Sequence, residues 1–168
     1  SFGRIGSVSV SPDQKTLLYD ITYFNKEEDR SYSDIYVMNF ADGKSKQLTD
    51  TDYKEFGETW TSDGKIAFMS SKSGSVQLWE MNADGSGLTQ LTNVEGGIGG
   101  FIFSPDKSKL LFLKDVKLEQ DVHDLHPDLP KANARLIDGQ VYRHWNDWVE
   151  AYTHPFVADY IPGQMVTT

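Results

Sequence analysis

The densest group of side chains able to do chemistry lies late in the chain, where large rings alternate with charges. The group consists of Tyr142, Arg143, His144, Trp145, Trp148, Glu150 and Tyr152. Rings of this kind can stack on a peptide, an arginine can hold its carbonyl oxygens, and a glutamate can pair with its ammonium group. We therefore predict that a substrate contacts Arg143, His144, Trp145, Trp148 and Glu150. The same residues also suit an insert that buries its rings and leaves its charges in water.

Two histidines, His123 and His126, lie three residues apart with Asp121 and Asp124 beside them. Imidazole and carboxylate are zinc ligands, and a step of three suits one turn of helix. Two prolines follow at once and favour an extended surface loop over a helix, and no flanking glutamate supplies a hydrolytic base. The prediction is therefore no metal, and no cofactor motif is found elsewhere.

A pair of glutamates, Glu27 and Glu28, could bind a substrate amine. The pair lies in a mixed-charge segment, Lys26–Arg30, between two predicted strands. Charges of both signs at a turn are typical of a solvated loop tip. No binding role is therefore assigned to them, and Glu150 is the better candidate.

Composition excludes several classes of function. The 168 residues carry a formal net charge of −9 and include no cysteine. The negative charge repels nucleic-acid phosphates, and without cysteine there is no disulfide and no thiolate nucleophile. No run of eighteen apolar residues and no leader pattern occurs, so neither a membrane span nor a signal peptide is predicted in this chain.

A repeat with a period of 43 residues organises the chain. Ile35–Asn39 and Gln47–Asp50 recur as Leu78–Asn82 and Gln90–Asn93. A second marker precedes each copy and begins a third one, at Ser11-Pro12-Asp13, Thr61-Ser62-Asp63 and Ser104-Pro105-Asp106. A fixed period of this length indicates one structural unit per repeat.

Each repeat contains short apolar or β-branched runs separated by turn-forming pairs. The Asp-Gly pairs that end at Gly43, Gly64 and Gly85 predict hairpin turns with positive φ. About four strands per 43 residues is typical of one blade of a β-propeller, whereas helical repeats would show apolar spacings of three and four. A β-sandwich with two similar hairpins is the alternative, although sandwiches have no reason to repeat at a fixed period.

The prediction is an all-β propeller fragment built from four-stranded antiparallel blades. Blade 1 covers residues 1–52, blade 2 covers 53–97, and a partial blade 3 covers 98–168. An irregular or partly helical insert interrupts blade 3 at about 118–152. Since two or three blades leave apolar faces and strand edges uncovered, we expect the isolated fragment to self-associate.

The Ser-Pro-Asp, Met-Asn-x-Asp-Gly and Gln-Leu-Thr elements resemble the TolB-like propeller repeat, a WD-type pattern. Gln14 and Lys107 depart from it, because the glycine usual after Ser-Pro-Asp is missing there. The segments 128–138, 142–149 and 154–159, with Phe-Gly-Arg at residues 2–4, resemble bacterial dipeptidyl-peptidase V-type enzymes of the prolyl-oligopeptidase family.

The resemblance implies a two-domain serine peptidase, periplasmic or secreted. In that family the propeller caps an α/β-hydrolase domain with a Ser-Asp-His triad, admits short peptides and helps recognise their free amino end. The present sequence contains no Gly-x-Ser-x-Gly, so the hydrolase domain is absent from it and catalysis is expected in a C-terminal domain of the parent protein. The alternative is a noncatalytic TolB-like module that binds a partner protein.

Overall fold

The computed structural model describes residues 3–117, 120–134 and 151–166. The first sheet has the order β1-β2-β3-β4, and all its neighbouring strands are antiparallel. Its strands are β1 (Arg4–Val10), β2 (Thr16–Asn25), β3 (Arg30–Asn39) and β4 (Ser45–Gln47). The second sheet repeats this order with β5 (Glu55–Trp60), β6 (Ile66–Ser70), β7 (Gln77–Met81) and β8 (Thr89–Gln90).

The third sheet contains β9 (Gly100–Phe103), β10 (Lys109–Lys117) and β11 (Ala151–Asp159), in the order β11-β10-β9. Between β10 and β11 lies one short helix, α1 (Val122–Leu125). The chain divides into two compact units, Ser1–Lys114 with Pro155–Thr168 and Asp115–His154. Within the described ranges no helix is long and apolar enough to cross a membrane.

The Gln-Leu-Thr element has the same structural role in both complete repeats. Thr49 accepts a hydrogen bond on Oγ1 from the backbone N–H of Ile35 at 2.9 Å. Thr92 accepts the equivalent bond from Leu78 at 2.8 Å. The threonine thereby satisfies a buried backbone N–H just beyond the pairing of this strand with the last strand of its sheet, which explains why it recurs after 43 residues.

The turns before the second strand of each sheet also repeat. In each, a hydroxyl donates to an aspartate oxygen at 2.6 Å, in the pairs Ser11–Asp13, Thr61–Asp63 and Ser104–Asp106. The residue after that aspartate has positive φ in all three turns: 58° at Gln14, 79° at Gly64 and 59° at Lys107. Gln14 and Lys107 therefore carry a Cβ in the left-handed region, which glycine occupies at lower cost. The predicted hairpin glycines are confirmed, since Gly43 and Gly85 also have positive φ.

Two apolar cores form where consecutive sheets meet. The first core lies between the first and second sheets and contains Leu18, Ile35, Trp60, Ile66, Phe68 and Met81. The second core lies between the second and third sheets and includes Ala67, Met69, Leu78, Phe103, Leu110 and Phe112. Strands β6 and β7 of the middle sheet therefore contribute residues from their two faces to opposite cores, as the period of two in a β-strand requires.

Candidate functional site

A pocket of about 450 Å³ opens between the first and second sheets. Its wall includes Ser7, Asp20, Ser33, Lys54 and Phe56. The backbone brings this wall together directly, because Ser33 donates its N–H to the carbonyl oxygen of Tyr53 at 3.2 Å. We call this opening the acidic pocket, after the carboxyl groups described next.

Bulges in β1 and β5 place Ser7, which lies in the wall of the acidic pocket, and its hydrogen-bond partner Glu58. The register of β1 against β2 shifts between Ile5 and Val8, and that of β5 against β6 shifts between Phe56 and Thr59. Ser7 lies within the first shift and Glu58 within the second. A β-bulge turns a side chain out of the regular alternation and bends the strand, so both residues can point towards the gap between the sheets.

Ser7 joins two carboxyl groups from different sheets. Its backbone N–H and its hydroxyl both lie 2.7 Å from Oδ1 of Asp20, and its hydroxyl lies 2.9 Å from Oε2 of Glu58. One hydroxyl has only one proton to donate, so a proton on Glu58 completes the set by donating back to Ser7 or Asp20. Burial raises the pKa of Glu58 to about 7, with the neighbouring charge of Asp20 acting in the same direction.

Gly6 makes room for this arrangement. A Cβ at position 6 would lie 2.2 Å from Oδ2 of Asp20, far inside van der Waals contact. Asp20 can reach the backbone of β1 only because residue 6 is glycine.

Two further buried acids, Asp34 and Glu55, lie at the same end of the contact. Asp34 accepts the backbone N–H of Thr51 at 3.1 Å, and Glu55 accepts the hydroxyl of Ser70 at 3.5 Å. Burial raises the pKa of both carboxyls. In the described ranges no lysine or arginine forms an ion pair with these two acids, Asp20 or Glu58.

The chemistry of the acidic pocket follows from this charge balance. An ammonium group entering it would meet the buried carboxylate of Asp20, with Lys54 also in the wall. Attraction to a buried carboxylate is stronger than attraction in bulk water. In the described part of the chain, no three acidic or histidine side chains are grouped closely enough to hold a metal ion. The pocket therefore presents one carboxylate and one lysine, and Asp20 and Glu58 can share a proton through Ser7.

The substrate-facing residues predicted from the sequence lie outside the described residues. They are Arg143, His144, Trp145, Trp148 and Glu150. Their neighbour Tyr152 is described, at the start of β11, with 55% of its surface exposed. The prediction of a substrate contact for the five stays a prediction.

The charged segment around Glu27 and Glu28 forms an exposed turn between β2 and β3, which confirms the predicted loop tip. Glu28 accepts a hydrogen bond from the hydroxyl of Tyr32 on β3. Both glutamates are exposed, whereas Asp20 and Glu58 are buried.

The prediction of an extended loop around His123 and His126 is wrong for one turn, because α1 covers residues 122–125. Asp121 is its N-cap and accepts the backbone N–H groups of His123 and Asp124, and the side chain of Asp124 accepts the N–H of Asp121 in return. This capping box stabilises the turn in spite of the prolines that follow. Lys117 pairs with both aspartates, so helix capping and ion pairing account for these acids.

Ser7, Asp20 and Glu58 were not identified from the sequence. Ser7 and Asp20 are 13 residues apart, and Ser7 and Glu58 are 51 apart. The one signal available was a lone aspartate inside the apolar run from Leu17 to Tyr23, where a buried acid needs a partner.

Comparison with proteins of known structure identifies the class of this fold. No family model matches the sequence. Over 98% of its length the chain superposes on acylaminoacyl peptidase from Pyrococcus horikoshii, with a TM-score of 0.67 and 16% identity, covering 24% of that chain. Over 99% it superposes on a putative TolB from Agrobacterium tumefaciens, with a TM-score of 0.61 and 23% identity, covering 48% of that chain. The serial antiparallel sheets are therefore those of a TolB-like β-propeller, which confirms the predicted fold class.

The sequence itself gives a closer relationship. The whole chain is 43% identical to part of dipeptidyl-peptidase 5 from Porphyromonas gingivalis, and 94% of it is 33% identical to part of dipeptidyl-peptidase 5 from Porphyromonas endodontalis. It spans about a quarter of the length of these two proteins. The chain is thus a homologue of the propeller part of dipeptidyl-peptidase 5, and the resemblance predicted from its motifs is confirmed.

Proposed function

We propose that this chain forms the substrate-gating propeller part of a serine exopeptidase that removes dipeptides or acylated residues from short peptides. The observation that carries the proposal is the 43% identity to dipeptidyl-peptidase 5 along the whole chain. In this arrangement the propeller covers a C-terminal hydrolase domain of the same parent protein, which supplies the Ser-Asp-His triad. Blades 1–52, 53–97 and 98–168 then form one side of the entrance, in a periplasmic or secreted enzyme.

Substrate recognition is assigned to two groups of residues. The first is the ring-and-charge group of Arg143, His144, Trp145, Trp148 and Glu150, with Glu150 paired to the peptide ammonium. The second is the acidic pocket, where Asp20 offers a buried carboxylate with no cationic partner in the described ranges. Both would favour peptides with a free amino terminus over blocked ones.

The activity is tested on the longer gene product that contains this chain. We expect it to release p-nitroaniline from dipeptidyl p-nitroanilides, and we expect the 168-residue chain alone to be inert. A longer product of propeller length that releases no p-nitroaniline would instead support the alternative, a noncatalytic TolB-like module that binds a protein partner.

Recognition is tested with Glu150→Gln and Asp20→Asn in the same parent. Each is expected to raise KM about tenfold for a free-amine dipeptide while leaving an N-acylated substrate unaffected, since one charge-assisted contact is lost. The matched control is Glu95→Gln, because Glu95 is exposed in the segment that connects β8 to β9. Equal effects on free and blocked substrates would contradict these roles.

Self-association of the isolated chain is proposed from its exposed apolar side chains. Ile5 and Val8 on β1 are each 62% exposed, as is Ile102 on β9. A stable monomer in light scattering at micromolar concentration would count against this part of the proposal.

A further inference from the structure

A second pocket, of about 640 Å³, opens at the other end of the strands that form the acidic pocket. Its wall includes Val37, Lys44 and Lys46 from the first sheet and Trp60, Ser62 and Ala83 from the second. We call it the Trp60 pocket. Nothing in the proposed peptidase role requires it.

The repeat shows which side chain could have filled this pocket. Phe40 follows β3 and donates its N–H to the carbonyl oxygen of Lys15, and Tyr160 follows β11 and donates to Ser108 in the same way, both at 2.9 Å. Ala83 follows β7 and lies 43 residues after Phe40, one period of the repeat. Ala83 therefore occupies, in the second sheet, the position that Tyr160 occupies in the third.

Tyr160 closes the equivalent space one sheet further on. It is 4% exposed, its ring centroid lies 4.6 Å from that of Phe103, and its hydroxyl donates to Oε2 of Glu80 at 3.0 Å. At the Trp60 pocket the small side chain of Ala83 fills none of this volume. The two sites are equivalent positions in successive contacts between sheets. In one the position is filled by the ring of Tyr160, and in the other, the Trp60 pocket, it is open.

The walls of the open site differ from those of the filled one in a consistent direction. Trp60 ends β5 as Phe103 ends β9, since they pair with the first apolar residues of the next strands, Ile66 and Leu110. Val37 stands one period before Glu80. The open site thus keeps an aromatic wall, contains the carboxyl group of Asp13, loses Glu80 with its partner Lys65, and gains the cations of Lys44 and Lys46.

Trp60 also has an unsatisfied donor. Its side chain is 8% exposed, and its buried Nε1–H has no hydrogen-bond acceptor. Because Nε1 has essentially no exposed surface, a ligand in the pocket can contact the Trp60 ring but does not reach this N–H. Lys46 reaches across the opening to the carbonyl oxygen of Asp84 at 2.9 Å, so a cation lies beside the same wall.

We propose that the Trp60 pocket binds an aromatic ring that carries a carboxylate on a short arm. The ring takes the place that Tyr160 takes in the next contact and lies against the Trp60 ring, and the carboxylate is bound by the ammonium groups of Lys44 and Lys46. Free arylacetic acids and the C-terminal aromatic residue of a peptide share this chemistry.

The binding is measured with 4-fluorophenylacetate by fluorine NMR on the folded chain. We expect line broadening that saturates, while the neutral 4-fluorophenylacetamide and the ring-saturated cyclohexylacetate compete at least about tenfold more weakly. Competition by Gly-Gly-Phe, but not by its C-terminal amide, would assign a peptide terminus as the natural source, and failure of Gly-Gly-Phe to compete would assign a small acid. No saturable broadening at millimolar concentration would overturn the proposal.

Two variants locate the site. Ala83→Phe supplies the missing ring and is expected to abolish binding while leaving the melting temperature unchanged or higher. Lys46→Gln removes one of the two ammonium groups and is expected to weaken binding of the carboxylate about tenfold. Lys26→Gln, in the exposed turn between β2 and β3, is the control for loss of one charge. Unchanged affinity in Ala83→Phe would show that the ligand binds elsewhere.

Discussion

The two contacts between consecutive sheets use the same repeat positions for different purposes. Asp20 in β2 corresponds to Met69 in β6, because their partners Ile35 and Leu78 lie one period apart. Glu58 in β5 lies one period of the repeat before Phe101 in β9 and corresponds to it. The first contact therefore has a hydrogen-bonded acidic cluster at the positions where the second contact has the apolar residues Met69 and Phe101. Both of these belong to or pack against the second core. Side-chain choice, together with the bulges in β1 and β5, turns one blade contact into a pocket and the other into a closed core.

The largest effect is expected from emptying the second core. Phe112 is fully buried and stacks on Phe156 with ring centroids 5.7 Å apart. Phe112→Ala should lower the free energy of unfolding by about 3–5 kcal/mol, because a buried ring leaves a cavity that the sheets cannot fill. Chemical denaturation measures it, with Ile102→Ala on the exposed face of β9 as the control. Similar losses in both variants would mean that the second core is not closed.

The first contact should instead respond to pH. Glu58 has a pKa raised from 4.5 to about 7, so between these values the folded state keeps a proton that the unfolded state has released. The free energy of unfolding then falls as the pH rises through this window, by on the order of 3 kcal/mol for this group. Glu58→Gln, which stays neutral, should flatten the fall and raise the melting temperature at pH 8 but not at pH 4. Equal melting temperatures of variant and parent at pH 8 would contradict the raised pKa.

A smaller effect on stability is expected from removing a hydrogen bond to the buried acid of the second contact. Glu80 is 1% exposed and is held by Lys65 at 2.8 Å and by the hydroxyl of Tyr160. Tyr160→Phe removes one of these partners and should cost about 1–2 kcal/mol in thermal or chemical unfolding. Tyr152→Phe, exposed on β11, should be silent, and a silent Tyr160→Phe would show that Lys65 suffices for Glu80.

The smallest effect concerns the turns that precede the second strand of each sheet. Gln14→Gly replaces a left-handed residue by the one found at position 64, and should raise the free energy of unfolding by about 0.5 kcal/mol. Gly64→Gln should lower it by about 1 kcal/mol, since a Cβ then enters the positive-φ region. Differential scanning calorimetry of the pair resolves the sign, and a stabilising Gly64→Gln would contradict the equivalence of the turns.

Local chemistry made much of the fold predictable from the sequence. The hairpin glycines, the hydroxyl–aspartate turns and the recurring threonine each act over a few residues or one hairpin, so a 43-residue period was enough to indicate the sheets. The acidic pocket was not predictable, because Ser7 and Glu58 meet only through bulges in strands of different sheets. The helix at residues 122–125 was missed because the capping box of Asp121 outweighed the proline signal.

The equivalence of Ala83 and Tyr160 could not be predicted from the sequence for a different reason. The insert in the third repeat shifts every later residue out of the period, so alignment by spacing fails after Lys117. The backbone bonds of Phe40 and Tyr160 restored the correspondence.

The break in the third sheet also bears on how freely this protein can change over evolutionary time. The chain leaves the sheet after Lys117 and re-enters it at Ala151, beside the strand it left. The entropy of closing a loop costs only about 0.6 kcal/mol more for each doubling of the loop's length. Homologues can therefore lengthen, shorten or exchange this connection at little thermodynamic cost, so new recognition surfaces can arise here while the blades stay the same.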